Sequence, residues 1–186
     1  MEPLRWIGTT VLCVRRYNKL VMIGDGQVTL GSTRYKTDAK KVRKLSGNVI
    51  CGFAGGAADA LTLVDRLETQ IEKYPNQTLR ACVNVAKAWR TEKYLKHLNA
   101  SIIVADRTNL VELDGTGNVM EVTDGIIGIG SGGIFALAAA RALVGATELD
   151  AEEVAKRAMG IAADLCIHTN RNWTTEVLSW EGPPQQ

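Results

Sequence analysis

Gly8-Thr9-Thr10-Val11-Leu12-Cys13-Val14-Arg15-Arg16 sets a glycine and a paired threonine directly ahead of an apolar, β-rich run. After Tyr17-Asn18 comes a second such run, Lys19-Leu20-Val21-Met22-Ile23-Gly24. A two-residue gap between β-rich runs is the spacing of a hairpin. The opening triplet also has chemical content. A threonine hydroxyl is a poor nucleophile in mid-chain, but a cut after Gly8 would give Thr9 its own α-amino group, whose reference pKa of about 7.7–8.0 suits it to accept a proton near neutrality. By itself Gly-Thr-Thr reads first as the opening of a strand, because threonine favours strands and glycine favours loops.

Working outward, Asp25-Gly26 marks a turn, 41–45 a short strand and 48–54 a longer one, broken by Gly55-Gly56. Beyond those glycines the period becomes helical, with Ala60, Val64, Leu67 and Ile71 recurring on one face until Pro75-Asn76. A second helix is expected from about Thr78, facing inward through Leu79, Cys82, Val83 and Ala86. Strands return at 101–105, 110–113 and 119–122, with Asp114-Gly115-Thr116-Gly117-Asn118 as the turn between the last two. A further strand at 126–129 runs into Gly130-Ser131-Gly132-Gly133. A helix over about 134–144 follows, then one capped by Asp150 with Glu153 three residues on and a stripe of Val154, Ala158, Ile161 and Leu165. A closing strand covers 174–180.

The order is thus strands, two helices, strands, two helices, strand. Each half ends a strand in a glycine cluster and crosses into a helix pair. Segregated strands and paired helices predict antiparallel sheets rather than alternating βαβ units. Two sheets face to face, with a helix layer on each outer side, would bury every apolar stripe: an α+β, four-layer αββα sandwich in a single domain over 9–180, preceded by a propeptide at 1–8 and followed by a flexible tail at 181–186.

Composition narrows the partners. In 186 residues, 22 basic against 20 acidic side chains leave a net charge of +2, which gives no reason to expect nucleic acid or an anionic membrane. The run Lys40-Lys41-Val42-Arg43-Lys44 reads as a solvated strand edge. Cys13, Cys51, Cys82 and Cys166 lie far apart among apolar neighbours, so they read as buried free thiols in a reducing compartment and not as zinc ligands. No apolar stretch approaches the ~20 residues of a membrane helix. Met1–Gly8 lacks the apolar core of a secretory signal and has the length of a propeptide.

Several constellations compete for the chemistry. Gly128-Ile129-Gly130-Ser131-Gly132-Gly133 matches G-x-G-x-x-G between a strand and a helix, which makes dinucleotide binding the runner-up. The βαβ unit that this fingerprint requires is missing, and no phosphate loop with a Gly-Lys-Ser/Thr ending occurs. Ser131 reads first as a helix cap. A Ser-His-Asp triad would have to recruit His97 or His168, both inside helical patterns. Trp89, Trp173 and Trp180 read as packing residues. What remains is Thr9 with a lysine, whose ammonium would stabilise the forming alkoxide and lower the pKa of the amine that takes its proton. Spacing leaves Lys36, Lys40, Lys41 and Lys44 all open.

Together, Thr9–Arg16, Gly24-Asp25-Gly26-Gln27-Val28-Thr29-Leu30-Gly31, Lys40-Lys41-Val42-Arg43, Gly52-Phe53-Ala54-Gly55, Trp89-Arg90-Thr91 and Ile129–Gly133 resemble the HslV (ClpQ) family from Thr9 to about Leu178. These are the proteasome-like peptidase subunits of the HslUV ATP-dependent protease. The resemblance implies an N-terminal-nucleophile hydrolase fold and a threonine-type endopeptidase. Thr9 matches the nucleophile, exposed by autocatalytic cleavage at Gly8-Thr9. Lys41 matches the active-site lysine and Asp25 its carboxylate partner. Gly52 matches the oxyanion-hole position, and Ser131 the serine near the threonine amine. A structural sodium ion on the backbone carbonyls of Ala163, Cys166 and Thr169 is implied too, with Ala163 standing where a glycine is usual. So are a homo-dodecamer of two stacked hexameric rings and a hexameric HslU-type AAA+ ATPase that delivers unfolded proteins; the chain itself would bind no ATP. The family points to a bacterial cytoplasm, or to the mitochondrial matrix for a eukaryotic source. A non-catalytic shell subunit, which would retain its leader, is the alternative within this fold.

Overall fold

The computed structural model describes residues 6–91 and 100–182, so the first five residues, His97 and the end of the tail lie outside it. The order is β1 (Trp6–Ile7), β2 (Thr10–Arg16), β3 (Lys19–Asp25), β4 (Val28–Leu30), β5 (Thr33–Lys36), β6 (Val42–Leu45), β7 (Val49–Gly55), α1 (Ala57–Lys73), α2 (Thr78–Thr91), β8 (Ala100–Ala105), β9 (Leu110–Leu113), β10 (Val119–Glu121), β11 (Ile126–Gly130), α3 (Gly133–Ala146), α4 (Ala151–Leu165) and β12 (Trp173–Ser179). The hairpin closes with Arg16 opposite Lys19.

Two antiparallel sheets, β11-β2-β3-β12 and β10-β9-β8-β7-β6, stack face to face. Alternation along each strand divides its side chains between two cores. Val11, Cys13, Leu20 and Met22 meet Ile50, Ala54, Ile103 and Ala105 between the sheets. Their neighbours Leu12, Val14, Val21 and Ile23 face the other way, onto Ala155, Ala158 and Met159 of α4. On the opposite side Cys51, Phe53, Ile102 and Val104 pack against Leu63, Leu67, Cys82 and Trp89 of α1 and α2. The inner strands β2, β3, β7 and β8 are therefore buried on two faces, and the expected αββα sandwich is the result.

Three details depart from the sequence reading. A third, small sheet, β1-β4-β5, lies beside the main pair. Its strands are very short and β5 is exposed at every position, so neither length nor alternation announced it. In α4 the inward face is Val154, Ala155, Ala158, Met159 and Ala162, while Ile161 and Leu165 are 42% and 61% exposed. In α2 the fully buried apolar residues are Ala81, Cys82, Val85, Ala86 and Trp89; Leu79 packs against the same core but is only partly buried, and Val83 is half-buried. Asp150 does cap α4, accepting the Glu153 N–H at 2.9 Å.

Candidate active site

Asp25 ends β3 at the point where the chain turns through Gly26, and its carboxylate is completely buried. A buried charge must be paired and hydrogen-bonded. Here Oδ1 accepts the Thr10 N–H at 2.8 Å and Lys41 Nζ at 2.7 Å. Oδ2 accepts the N–H groups of Gln27 at 3.0 Å and Asn170 at 3.2 Å. Four donors from four parts of the chain thus converge on one side chain.

Lys41 sits immediately before β6, at the inner end of the basic run, and is only 4% exposed. Of the four candidate lysines it alone is buried. Lys36 pairs with Asp38 in solvent, and Lys40 and Lys44 are exposed. Besides Asp25, the Lys41 ammonium donates to the Gln27 carbonyl and, at 3.1 Å, to the carbonyl of Gly8. Burial pushes its pKa down from the ordinary lysine range, while the charge and hydrogen bond of Asp25 pull it back up.

That Gly8 carbonyl is the acyl group of the Gly8–Thr9 bond. Thr9 Oγ1 donates to it at 2.6 Å. On the other side the Ser131 hydroxyl accepts from the Thr9 N–H at 3.5 Å and donates to the Thr9 carbonyl at 3.2 Å. Ser131 is therefore not the helix cap. The N-cap of α3 is Gly132, whose N–H is bonded to Thr10 Oγ1 at 3.0 Å. With its hydroxyl committed to Thr9, Ser131 also leaves the Ser-His-Asp reading without a serine. The glycines after β11 serve close packing: a Cβ on Gly132 would collide with the hydroxyls of Thr10 and Thr169, and one on Gly130 with the Thr9 carbonyl. This accounts for the G-x-G-x-x-G run without a phosphate.

Thr9 opens onto a cavity of about 600 Å³. Val28, Ala39, Phe53 and Leu61 supply apolar wall, and Lys36, Lys40, Arg43 and Asp59 supply charge. Gly52 does not line it. The Phe53 N–H is bonded to the Lys41 carbonyl at 3.0 Å, so alternation turns the Gly52 N–H the other way, toward Ile103 of β8 in the sheet ladder. What requires a glycine at position 52 is packing, since a Cβ would lie 2.6 Å from Val11 Cγ1 and 2.8 Å from Met22 Sδ. The next N–H on the Lys41 side belongs to Gly55, opposite position 39, where β6 has not yet begun. Gly55 lines the cavity with φ of +108°. It was missed because a strand-end glycine before a helix reads simply as a turn.

Among the described residues no cluster of His, Cys, Asp and Glu has metal-site geometry. Ala163 lies in the last turn of α4, Cys166 caps that helix, and Thr169 follows in a turn closed by its N–H on the Cys166 carbonyl at 3.0 Å. The Ala163 carbonyl, in the last turn of α4, lacks a helical partner and carries partial negative charge, and backbone carbonyl oxygens are a donor type that fits a hard monovalent cation.

A family model described as "Proteasome subunit" matches residues 7–178. The ATP-dependent protease subunit HslV of Paramagnetospirillum magneticum is 54% identical over 174 residues, which are 93% of this chain and 96% of that one. The chain belongs to the HslV branch of the proteasome family. The crystal structure of eukaryotic HslV from Trypanosoma brucei superposes with a TM-score of 0.88 at 47% identity, covering 92% of this chain and 99% of that one. A more distant neighbour, Thiobacillus denitrificans BPH, shares the fold at a TM-score of 0.73 and 20% identity, over 91% of this chain and 97% of its own. The family match begins at Ile7 and ends at Leu178, so it spans both sheets, both helix layers and every residue of the Thr9 cluster.

Proposed function

We propose that this chain is the threonine-type endopeptidase subunit of an ATP-dependent protease, with Thr9 as nucleophile once the Gly8–Thr9 bond is cut. The observation that carries the reading is the convergence of Thr9 Oγ1 and Lys41 Nζ on the Gly8 carbonyl, with Ser131 at the Thr9 nitrogen.

Maturation follows from that geometry. Lys41 polarises the Gly8 carbonyl while Thr9 Oγ, turned from the oxygen to the carbon, adds to it. The C–N bond breaks, leaving an ester on Thr9 and a free α-amine. Water then hydrolyses the ester, releasing the leader as a carboxylate. In turnover the amine takes the proton of Thr9 Oγ as the oxygen attacks a substrate carbonyl, and the Lys41 ammonium nearby keeps that amine's pKa within reach of neutrality. The Gly55 N–H is placed to receive the oxyanion, where one such donor is worth ~100-fold or more in rate. The amine returns its proton to the leaving nitrogen, and water resolves the acyl-enzyme. Sodium, held by the carbonyls of Ala163, Cys166 and Thr169, would fix the loop that carries Asn170.

The family supports the remaining features: a homo-dodecamer of two stacked hexameric rings, capped by HslU-type AAA+ hexamers that feed it unfolded protein. A cytoplasmic or mitochondrial-matrix location belongs to the same reading. The deciding experiment is Thr9→Ala. Intact mass should show wild-type protein without its first eight residues and the variant with them, and the variant should not hydrolyse a blocked fluorogenic tripeptide. Peptidase activity surviving in that variant would remove Thr9 as the nucleophile.

A further inference from the structure

Asn170 carries no part of the chemistry above, yet it touches Asp25 and the segment that leads into Lys41. Its backbone N–H donates to Asp25 Oδ2 at 3.2 Å. Its side-chain oxygen accepts the Gly26 N–H at 3.1 Å, immediately after Asp25, and the Asn172 N–H at 3.1 Å. Its amide nitrogen donates to the Thr37 carbonyl at 2.9 Å. Thr37 opens the segment that runs into Lys41, and this segment is pressed against the Gly26 turn. The Ala39 N–H is bonded to the Gly26 carbonyl at 2.9 Å, and a Cβ on Gly26 would collide with the backbone of Thr37 and Asp38. The Asn170 carbonyl is itself held by Trp173 Nε1 at 3.1 Å. One amide side chain thus ties the turn that presents the carboxylate to the strand entry that presents the ammonium.

We infer that Asn170 is a positioning residue for the Asp25–Lys41 pair, setting the distance between carboxylate and ammonium by clamping the Gly26 turn to Thr37. The inference rests on the threonine-peptidase reading. An amide suits the position because it needs one acceptor and one donor at once, aimed at an N–H and a carbonyl on different segments. Asn172 also donates to the Thr37 carbonyl, at 3.0 Å, and does not grip the Gly26 turn. It therefore separates anchoring of Thr37 from clamping of the pair.

The effect reads out through Lys41. The charged groups facing it are Asp25 in contact, the Thr9 amine after cleavage, and Lys36, Lys40, Arg43 and Asp59 around the cavity. Asp25 is what offsets the burial that drives the Lys41 pKa down. A looser clamp weakens this offset, so the ammonium is lost at lower pH and the alkaline limb of the rate profile moves down.

The test uses the full chain assembled with its ATPase and the fluorogenic tripeptide, with Asn170→Ala, Asn170→Asp, Asn172→Ala and Thr9→Ala compared across pH. Asn170→Ala should lower kcat about tenfold or more with KM held within about twofold, and move the alkaline limb down by about half a pH unit or more. Asn170→Asp keeps the acceptor for Gly26 and the shape of the side chain but sets an oxygen where the donor to the Thr37 carbonyl stood, so it should lower kcat as the alanine variant does, and it keeps the experiment informative if the alanine variant fails to fold. An unchanged alkaline limb in both Asn170 variants, or an equal shift in Asn172→Ala, overturns the inference. Turnover surviving in Thr9→Ala overturns the underlying reading instead, which keeps the two failures distinct.

Discussion

Replacing Lys41 by methionine tests what the buried ion pair does for the fold and for the chemistry at once. Methionine retains most of the apolar stem and removes the ammonium, leaving the fully buried Asp25 carboxylate with its three backbone donors and no cation. Removing one partner of a buried pair costs about 3–5 kcal/mol, and the three remaining N–H bonds place this case at the low end, about 3 kcal/mol. For a chain of this length each kcal/mol moves the melting temperature by about 2–4 °C, so a fall of about 6–12 °C is expected. Turnover should fall further than stability alone explains, by about 100-fold or more, because the ammonium no longer acts on the Thr9 amine or its developing alkoxide. The leader should remain attached, since nothing would polarise the Gly8 carbonyl. The assay is a thermal melt of Lys41→Met, Asp25→Asn and the double variant, with intact mass and peptide hydrolysis measured on each. Directly bonded residues should show a coupling energy of about 1.5 kcal/mol or more in this cycle. A coupling below about 0.5 kcal/mol, or a matured and active Lys41→Met protein, would refute the argument that Lys41 neutralises Asp25 and acts on Gly8.

Three further outcomes are expected. Gly52→Ala should destabilise the protein by about 1–3 kcal/mol through the clash with Val11 and Met22 while leaving turnover per folded molecule near wild type. Gly55→Ala, which forces a side chain onto φ of +108°, should instead lower turnover about tenfold or more; peptide hydrolysis set beside melting curves checks both. Burial pushes the thiols of Cys13, Cys51 and Cys82 up to about 12, so each stays neutral across the working range. At pH 8 such a thiol is only ~0.01% thiolate, and iodoacetamide should leave all three unmodified in the folded protein while labelling them in denaturant, read as mass increments. Rapid labelling of any of them before unfolding would contradict their placement in the core.

Most of the architecture was legible in the chain because alternation and helical period are local signals, and nearly every strand of the two large sheets is long enough to show one. The third sheet was not, because β5 is exposed throughout and β4 has only three residues. The α4 stripe was legible in period but not in extent, since period alone does not say that Ile161 and Leu165 reach the surface.

The site divides in the same way. Gly8-Thr9-Thr10 identifies a possible nucleophile because the chemistry of an N-terminal threonine belongs to one residue and its neighbour. Which lysine serves it is a question of burial: Lys36, Lys40, Lys41 and Lys44 are equivalent in sequence, and only the pairing of β6 with β7 carries Lys41 inward to Asp25 and Gly8. Whether position 52 or 55 presents a free N–H depends on which side of a strand each donor faces and where the neighbouring strand ends, which no motif records. Asn170, 145 residues from Asp25, has no sequence signal at all. Local periodicity therefore determined the elements and their layering, whereas the donors, charges and clamps of the site were decided only when distant segments were brought within hydrogen-bond distance of one another.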